Sequence, residues 1–257
     1  MSSAVLVQVA DRVATLTLNR PDAGNVLDMD MGRALLDAAL RCEADRGIGA
    51  VVLTGAGKNF CFGGDLRGMA GQGDAVGAYL NELTTYIHAA ISAFTRMRAP
   101  VIAAVNGTAA GGAVGLACAT DLAIAGRSSK FTLAYTGIGM APDCGTSFLL
   151  PRIVGRRRAL ELFLTNRMLD AEEALAWGLV NRVVEDGDVL GQAQALAARF
   201  ADGPTESYAA VKRLAGLSEP GIEAQMAAEG RAIAAQGLHP EGIEGVRAFV
   251  EKRKPKY

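Results

Sequence analysis

Three short segments carry residue types that could do chemistry together. The first, Gly55-Ala-Gly-Lys-Asn-Phe-Cys-Phe-Gly63-Gly64-Asp65-Leu66, follows a β-branched run at Ala50–Thr54. The second, Asn106-Gly-Thr-Ala-Ala-Gly111-Gly112-Ala-Val-Gly115, lies between an apolar run at Val101–Val105 and a stretch of small residues. Glycine lets a backbone approach a ligand closely, and the first turn of a helix leaves N–H groups without intrahelical partners. Both segments could therefore aim backbone donors at an oxygen that gains negative charge. Each also has a plain structural reading: a turn with Asp65 as a helix cap, and tight helix packing. The third segment, Ile138-Gly-Met-Ala-Pro142-Asp143-Cys-Gly145, supplies a carboxylate. Asp143 could act as a general base or cap a helix beginning near Thr146.

Two nucleotide-binding motifs fail on inspection. A P-loop needs Ser or Thr after its Lys, and here Lys58 precedes Asn59. A dinucleotide fingerprint needs its third glycine at the opening of a helix, and Phe60 interrupts that spacing.

The elements that must position these segments follow from periodicity. Val5–Val9 and Ala14–Leu18 read as a hairpin. Asn25–Asp45 reads as a helix with Met31, Leu35, Ala38, Ala39 and Cys42 on one face. Ala50–Thr54 and Val101–Val105 read as buried strands, with a helix near Tyr79–Met97 between them. Strands are expected at Leu122–Ala125, Lys130–Thr132 and Val180–Val184. Helices are expected at Thr146–Val154 and Arg157–Leu164, and Asp170-Ala-Glu-Glu173 has capping-box spacing. The remainder reads as helix with Gly/Pro breaks. Repeated strand–helix units imply a largely parallel α/β core with a helical C-terminal part. Residues 101–125 are apolar enough to resemble a membrane span, but the Asn106-Gly107 turn and Asp121 break the run.

Bulk properties narrow the partners. The 257 residues carry 26 basic and 27 acidic side chains, so no strong field gathers nucleic acid or an anionic membrane. Four scattered cysteines lack metal-ligand spacing, and with two histidines no metal site is expected. Cys61, Cys118 and Cys144 read as buried thiols. The N-terminal residues have no signal-peptide pattern, which points to the cytoplasm. His88 and His239 have no recognisable partners.

In this order and spacing the glycine segments resemble the signature of the crotonase (enoyl-CoA hydratase/isomerase) superfamily. Asn19-Arg20-Pro21, Val52-Leu-Thr-Gly-Ala-Gly57, Ala174-x-x-x-Gly178-Leu-Val180 and Glu251-Lys-Arg-Lys-Pro255 extend the resemblance over nearly the whole chain. It implies an α/β fold: a crotonase-type ββα spiral core over residues 1–195 and a helical C-terminal trimerisation region over 196–257. A homotrimer, or two trimers paired into a homohexamer, is the implied assembly. The implied substrate is an acyl-CoA thioester, with no separate cofactor because CoA is part of the substrate. Gly64 and Gly112 would donate the oxyanion N–H groups. The backbone around Ala23, Cys61, Gly63, Asp65 and Leu66 would contact the CoA moiety, with Lys252, Lys254 and Lys256 as candidate phosphate partners.

The same resemblance bears on the reaction. Hydratases of this superfamily use two glutamates, and the corresponding positions here are Gly115 and Tyr135. Neither can serve as a carboxylate base, and Tyr135 reads as pocket wall. Asp143 instead resembles the base of the isomerase branches, closest in motif to the phenylacetate-degradation isomerases. The expectation is an enoyl-CoA isomerase that shifts a double bond through an enolate. A hydratase, a hydrolase or other lyase, or a non-catalytic acyl-CoA binder are the alternatives.

Overall fold

The chain opens with a hairpin in which Val5–Ala10 (β1) and Val13–Leu18 (β2) pair antiparallel. Its two turn residues, Asp11 and Arg12, both have positive φ, a conformation whose twist matches that of the flanking strands. The computed structural model describes residues 3–216 and 221–257; Met1, Ser2 and residues 217–220 of the expected helical C-terminal part lie outside it. Met29–Ala44 (α1) starts where the Asp28 carboxylate accepts the Met31 N–H, and it buries Met31, Leu35, Ala38, Ala39 and Cys42, the face read from the sequence. Ala50–Gly55 (β3) leads through the first glycine segment to Leu66–Ala70 (α2), Val76–Arg96 (α3) and Val101–Val105 (β4). The second glycine segment spans Ala109–Ala110 (β5) and Gly112–Cys118 (α4). Leu122–Gly126 (β6), Lys130–Thr132 (β7), Thr146–Val154 (α5) and Arg156–Thr165 (α6) follow. Then come Leu169–Asp170 (β8), Ala171–Ala176 (α7), Arg182–Val184 (β9) and Val189–Ala201 (α8). The chain ends with Thr205–Gly216 (α9), Ile222–Leu238 (α10) and Pro240–Val250 (α11).

One sheet has the order β1-β2-β3-β4-β6-β9, parallel from β2 onward. Alternate residues serve two cores. Val51, Leu53, Ala103 and Val105 join the large core with α1 and α3, while Ala50, Val52, Ile102 and Ala104 pack on Val189, Ala193 and Ala197 of α8. Burial on both faces explains why these strands are continuous apolar runs. The expected boundary at 195/196 falls inside α8. A smaller sheet, β5-β7-β8, carries the second glycine segment.

The apolar run 101–125 resolves into β4, a turn, β5, α4 and β6. Among the described residues no helix is long and apolar enough to cross a membrane. Two local expectations change. The strand expected from Val180 begins at Arg182, because the Leu179 and Val180 N–H groups finish α7 by donating to the Ala174 carbonyl. Only half of the capping box forms. Asp170 accepts the Glu173 N–H, but the Glu173 carboxylate is taken bidentately by Arg167 at 2.6 and 2.9 Å.

Candidate active site

Two buried or half-buried asparagines brace the first glycine segment, and one of them, Asn106, locks it to the second. Asn106 donates to the carbonyls of Gly55 (2.9 Å) and Gly57 (3.0 Å) and accepts the Gly55 N–H (3.1 Å). Asn25, fully buried at positive φ, donates to the carbonyls of Ala56, Asn59 and Phe60 and accepts the Arg20 N–H. Cys61 then zips onto the second segment, donating to the Thr108 carbonyl and accepting the Ala110 N–H. A side chain at Gly107 would run into the Lys58 carbonyl, so this junction demands glycine. The outcome is local and chemical. Gly64 and Gly112 line one cavity of about 360 Å³, and neither N–H has an acceptor among the described residues.

The rest of that cavity is apolar. Leu83 and Ile87 of α3 form one wall; Leu133, Ile138 and Met140 form another. Asp143 is the only carboxylate lining it among the described residues. Its side chain is one third exposed (34 %). Oδ1 accepts the Cys144 N–H at 2.6 Å and lies 2.5 Å from Nε2 of His88, whereas Oδ2 meets only the Cys144 thiol at 3.7 Å. The Asp143 carbonyl accepts from the Tyr135 hydroxyl (3.1 Å), the Thr146 hydroxyl (2.7 Å) and the Thr146 N–H (3.1 Å). Its side chain does not cap α5, whose N-cap position is Gly145; the capping alternative is thereby removed.

Both histidines have partners after all. His88 meets Asp143 across 55 positions of sequence, a separation that no local motif signals. His239 caps α11 by accepting the Glu241 N–H at 3.4 Å. Tyr135 lines the cavity as expected of a wall residue, and burial raises the pKa of its hydroxyl. Burial, and then the Asp143 charge, hold the Cys144 thiol well above the ordinary range. Both groups therefore stay protonated near neutral pH and cannot supply a base.

The sequence matches the enoyl-CoA hydratase/isomerase family over residues 8–257. The chain belongs to the enoyl-CoA hydratase/isomerase family. It is 36% identical to 1,2-epoxyphenylacetyl-CoA isomerase of Escherichia coli strain K12, covering 100% of this chain and 99% of the relative. It is 37% identical to 4-chlorobenzoyl coenzyme A dehalogenase-2 of an Arthrobacter species, covering 96% and 91%. A crystal structure of an enoyl-CoA hydratase from Polaromonas sp. JS666 superposes with a TM-score of 0.94 at 31% identity, covering 98% of this chain and 99% of that one. The fold is accordingly the crotonase fold.

Two further features, one position and one groove, bear on the site. At Gly115, the position the sequence resemblance matched to a hydratase glutamate, an added Cβ would collide with the Cys144 carbonyl and approach its Cβ to 2.9 Å. The turn that carries Asp143 thus occupies the space a side chain at 115 would need. Second, a groove of about 640 Å³ adjoins the first cavity, sharing Phe62, Gly64 and Leu66 with it. Ala23, Asp65 and Leu66 line this groove, together with Arg20 and Arg67. Cys61 and Gly63 line neither space; both are buried, and Gly63 spends its carbonyl on the Leu27 N–H. Asp65 occupies the N-cap position of α2 without a side-chain capping bond. Lys256 lines a separate cavity beside Glu244, Arg253 and Tyr257, while Lys252 and Lys254 line none of the three.

Proposed function

We propose that this chain shifts a carbon–carbon double bond of an acyl-CoA thioester through an enolate. The Gly64 and Gly112 N–H groups hold the thioester oxygen, and Asp143 takes a proton from one carbon and returns it two carbons away. The observation that carries this reading is the pairing of two acceptor-free N–H groups with a single carboxylate in one apolar cavity. Preorganised donors of this kind are worth roughly 100- to 1000-fold in rate each. The CoA moiety runs along the groove past Ala23, Asp65 and Leu66, entering the cavity at Gly64. α-Proton exchange in D₂O tests enolate formation whatever the product. Isomerisation of 3-enoyl-CoA exceeding hydration of crotonyl-CoA supports the isomerase; the reverse order overturns it.

A second reading is favoured by one contact. His88 against Asp143 is also the arrangement of a carboxylate nucleophile beside a base, and a dehalogenase is among the relatives. Asp143 would then attack the halogen-bearing carbon of an electron-poor acyl ring and expel halide. Water deprotonated by His88 would hydrolyse the resulting aryl ester, releasing the hydroxylated ring and restoring the carboxylate. Incorporation of ¹⁸O from solvent into Asp143 during a single turnover separates this reading from proton shuttling.

Exposed apolar side chains support the assembly proposed with this reading, a homotrimer or homohexamer. Leu238, Phe249 and Val250 on α10 and α11 are more than 70 % exposed, and α10 buries no residue. Such a patch marks an association surface, and a homotrimer or homohexamer buries it. A stable monomer by light scattering at micromolar concentration overturns the assembly. The four free thiols suit a reducing cytoplasm.

A further inference from the structure

A carboxylate has two equivalent oxygens and a soft torsion about its Cβ–Cγ bond. Asp143 sits on a half-buried turn in which Cys144 and Gly145 both have positive φ, and within its own segment only the Cys144 N–H and the weak thiol contact hold its carboxylate. The second restraint comes from another element. His88 lies on α3, whose Leu83, Ile87, Ala90, Ile91 and Phe94 are buried, so the imidazole is presented from a helix anchored in the core. Its neighbours Thr84 and Ile87 line the cavity; His88 itself does not. An ionised carboxylate only accepts hydrogen bonds, so in the neutral imidazole the proton resides on Nε2 and points at Oδ1.

We infer that His88 is a positioning residue: with the Cys144 N–H it pins Asp143 Oδ1, leaving Oδ2 as the one oxygen that takes and returns the substrate proton. This deepens the isomerase reading above and rests on it. It also separates the roles of the two oxygens. Oδ1 is doubly held at 2.6 and 2.5 Å, while Oδ2 keeps only the weak thiol contact at 3.7 Å. Placing the working oxygen from a rigid helix is the second-layer support that a precise site requires.

The test compares His88→Ala and His88→Gln with wild type in α-proton exchange of a 3-enoyl-CoA. Gln can place an amide N–H near the position of Nε2 but cannot shuttle a proton. Loss of positioning in His88→Ala should lower kcat roughly 10- to 100-fold, the scale of a misplaced reacting group. KM should stay within about twofold by the same argument, and His88→Gln should recover most of kcat. In parallel, ¹⁵N NMR of the unliganded wild type should show His88 protonated on Nε2, with that signature altered in Asp143→Asn. Wild-type kcat in His88→Ala overturns the proposal. So does His88→Gln as impaired as His88→Ala, which would make His88 itself the proton carrier. Absence of exchange in wild type sinks the isomerase reading instead, and the NMR arm still decides the contact: an Nε2 without a proton, or one indifferent to Asp143→Asn, overturns it.

Discussion

The two halves of the site are built in opposite ways. The glycine half is woven into the frame: Asn25 ties the first segment to Arg20 through four contacts, Asn106 ties the two segments through three, and Cys61 joins them to the small sheet. The carboxylate half hangs on a half-buried turn, held at the Asp143 carbonyl by Tyr135 and Thr146 and at its side chain by the Cys144 N–H and one imidazole. On the function proposed above, the difference teaches that the anion-holding half cannot be altered without disturbing the fold, whereas the proton-moving half can. Substitutions in the two halves should therefore separate stability from rate.

Asp143→Asn sharpens that contrast most. It keeps an acceptor for the Cys144 N–H but removes the base, so isomerisation should fall roughly 100- to 10,000-fold. Stability should move by no more than about 1–2 kcal/mol, the scale of one weakened charged hydrogen bond. Near wild-type turnover would place the base elsewhere, and an unfolded variant would make the turn part of the frame. Gly115→Glu comes next. A charged side chain driven against the Cys144 carbonyl should cost about 3 kcal/mol or more, read as a fall in the denaturant midpoint. A Glu accepted without loss would show that the turn yields easily. Asn106→Ala should break the contrast from the other side. Leaving the Gly55 N–H and the Gly55 and Gly57 carbonyls unpaired should cost about 1–3 kcal/mol, with activity falling in step because Gly64 lies downstream in the same segment. Loss of rate without loss of stability would contradict the framework role. Tyr135→Phe is the mildest. The Asp143 carbonyl keeps both Thr146 donors, so the stability cost should be about 0.5–1.5 kcal/mol, with KM and kcat nearly unchanged. A large fall in kcat would make the hydroxyl more than a strut.

Legibility in sequence follows the same division. Strands buried on both faces announce themselves as apolar runs, and β4 and β7 begin and end where their residues indicate. The glycine segments are legible because close backbone approach admits no other residue at positions such as Gly107. Contacts that depend on tertiary geometry are not. The two-residue strands β5 and β8 carry no period to detect. The His88–Asp143 pair brings a helix residue to a turn that follows four intervening strands. Asn25 looks like an ordinary helix-start residue, yet its side chain spans to three carbonyls more than 30 positions away.

The shared boundary of the two cavities has a consequence for register. Phe62, Gly64 and Leu66 belong to both the groove and the first cavity, so on the function proposed above a thioester threaded through them is measured from its invariant handle inward. Its carbonyl would then stop at the same depth whatever lies beyond it, and variation in the acyl group would be absorbed at the far wall of Leu83, Ile87 and Met140. A scaffold that indexes its substrate this way can change the group facing that carbonyl without recalibrating the anchor, and so can host several chemistries on one ruler.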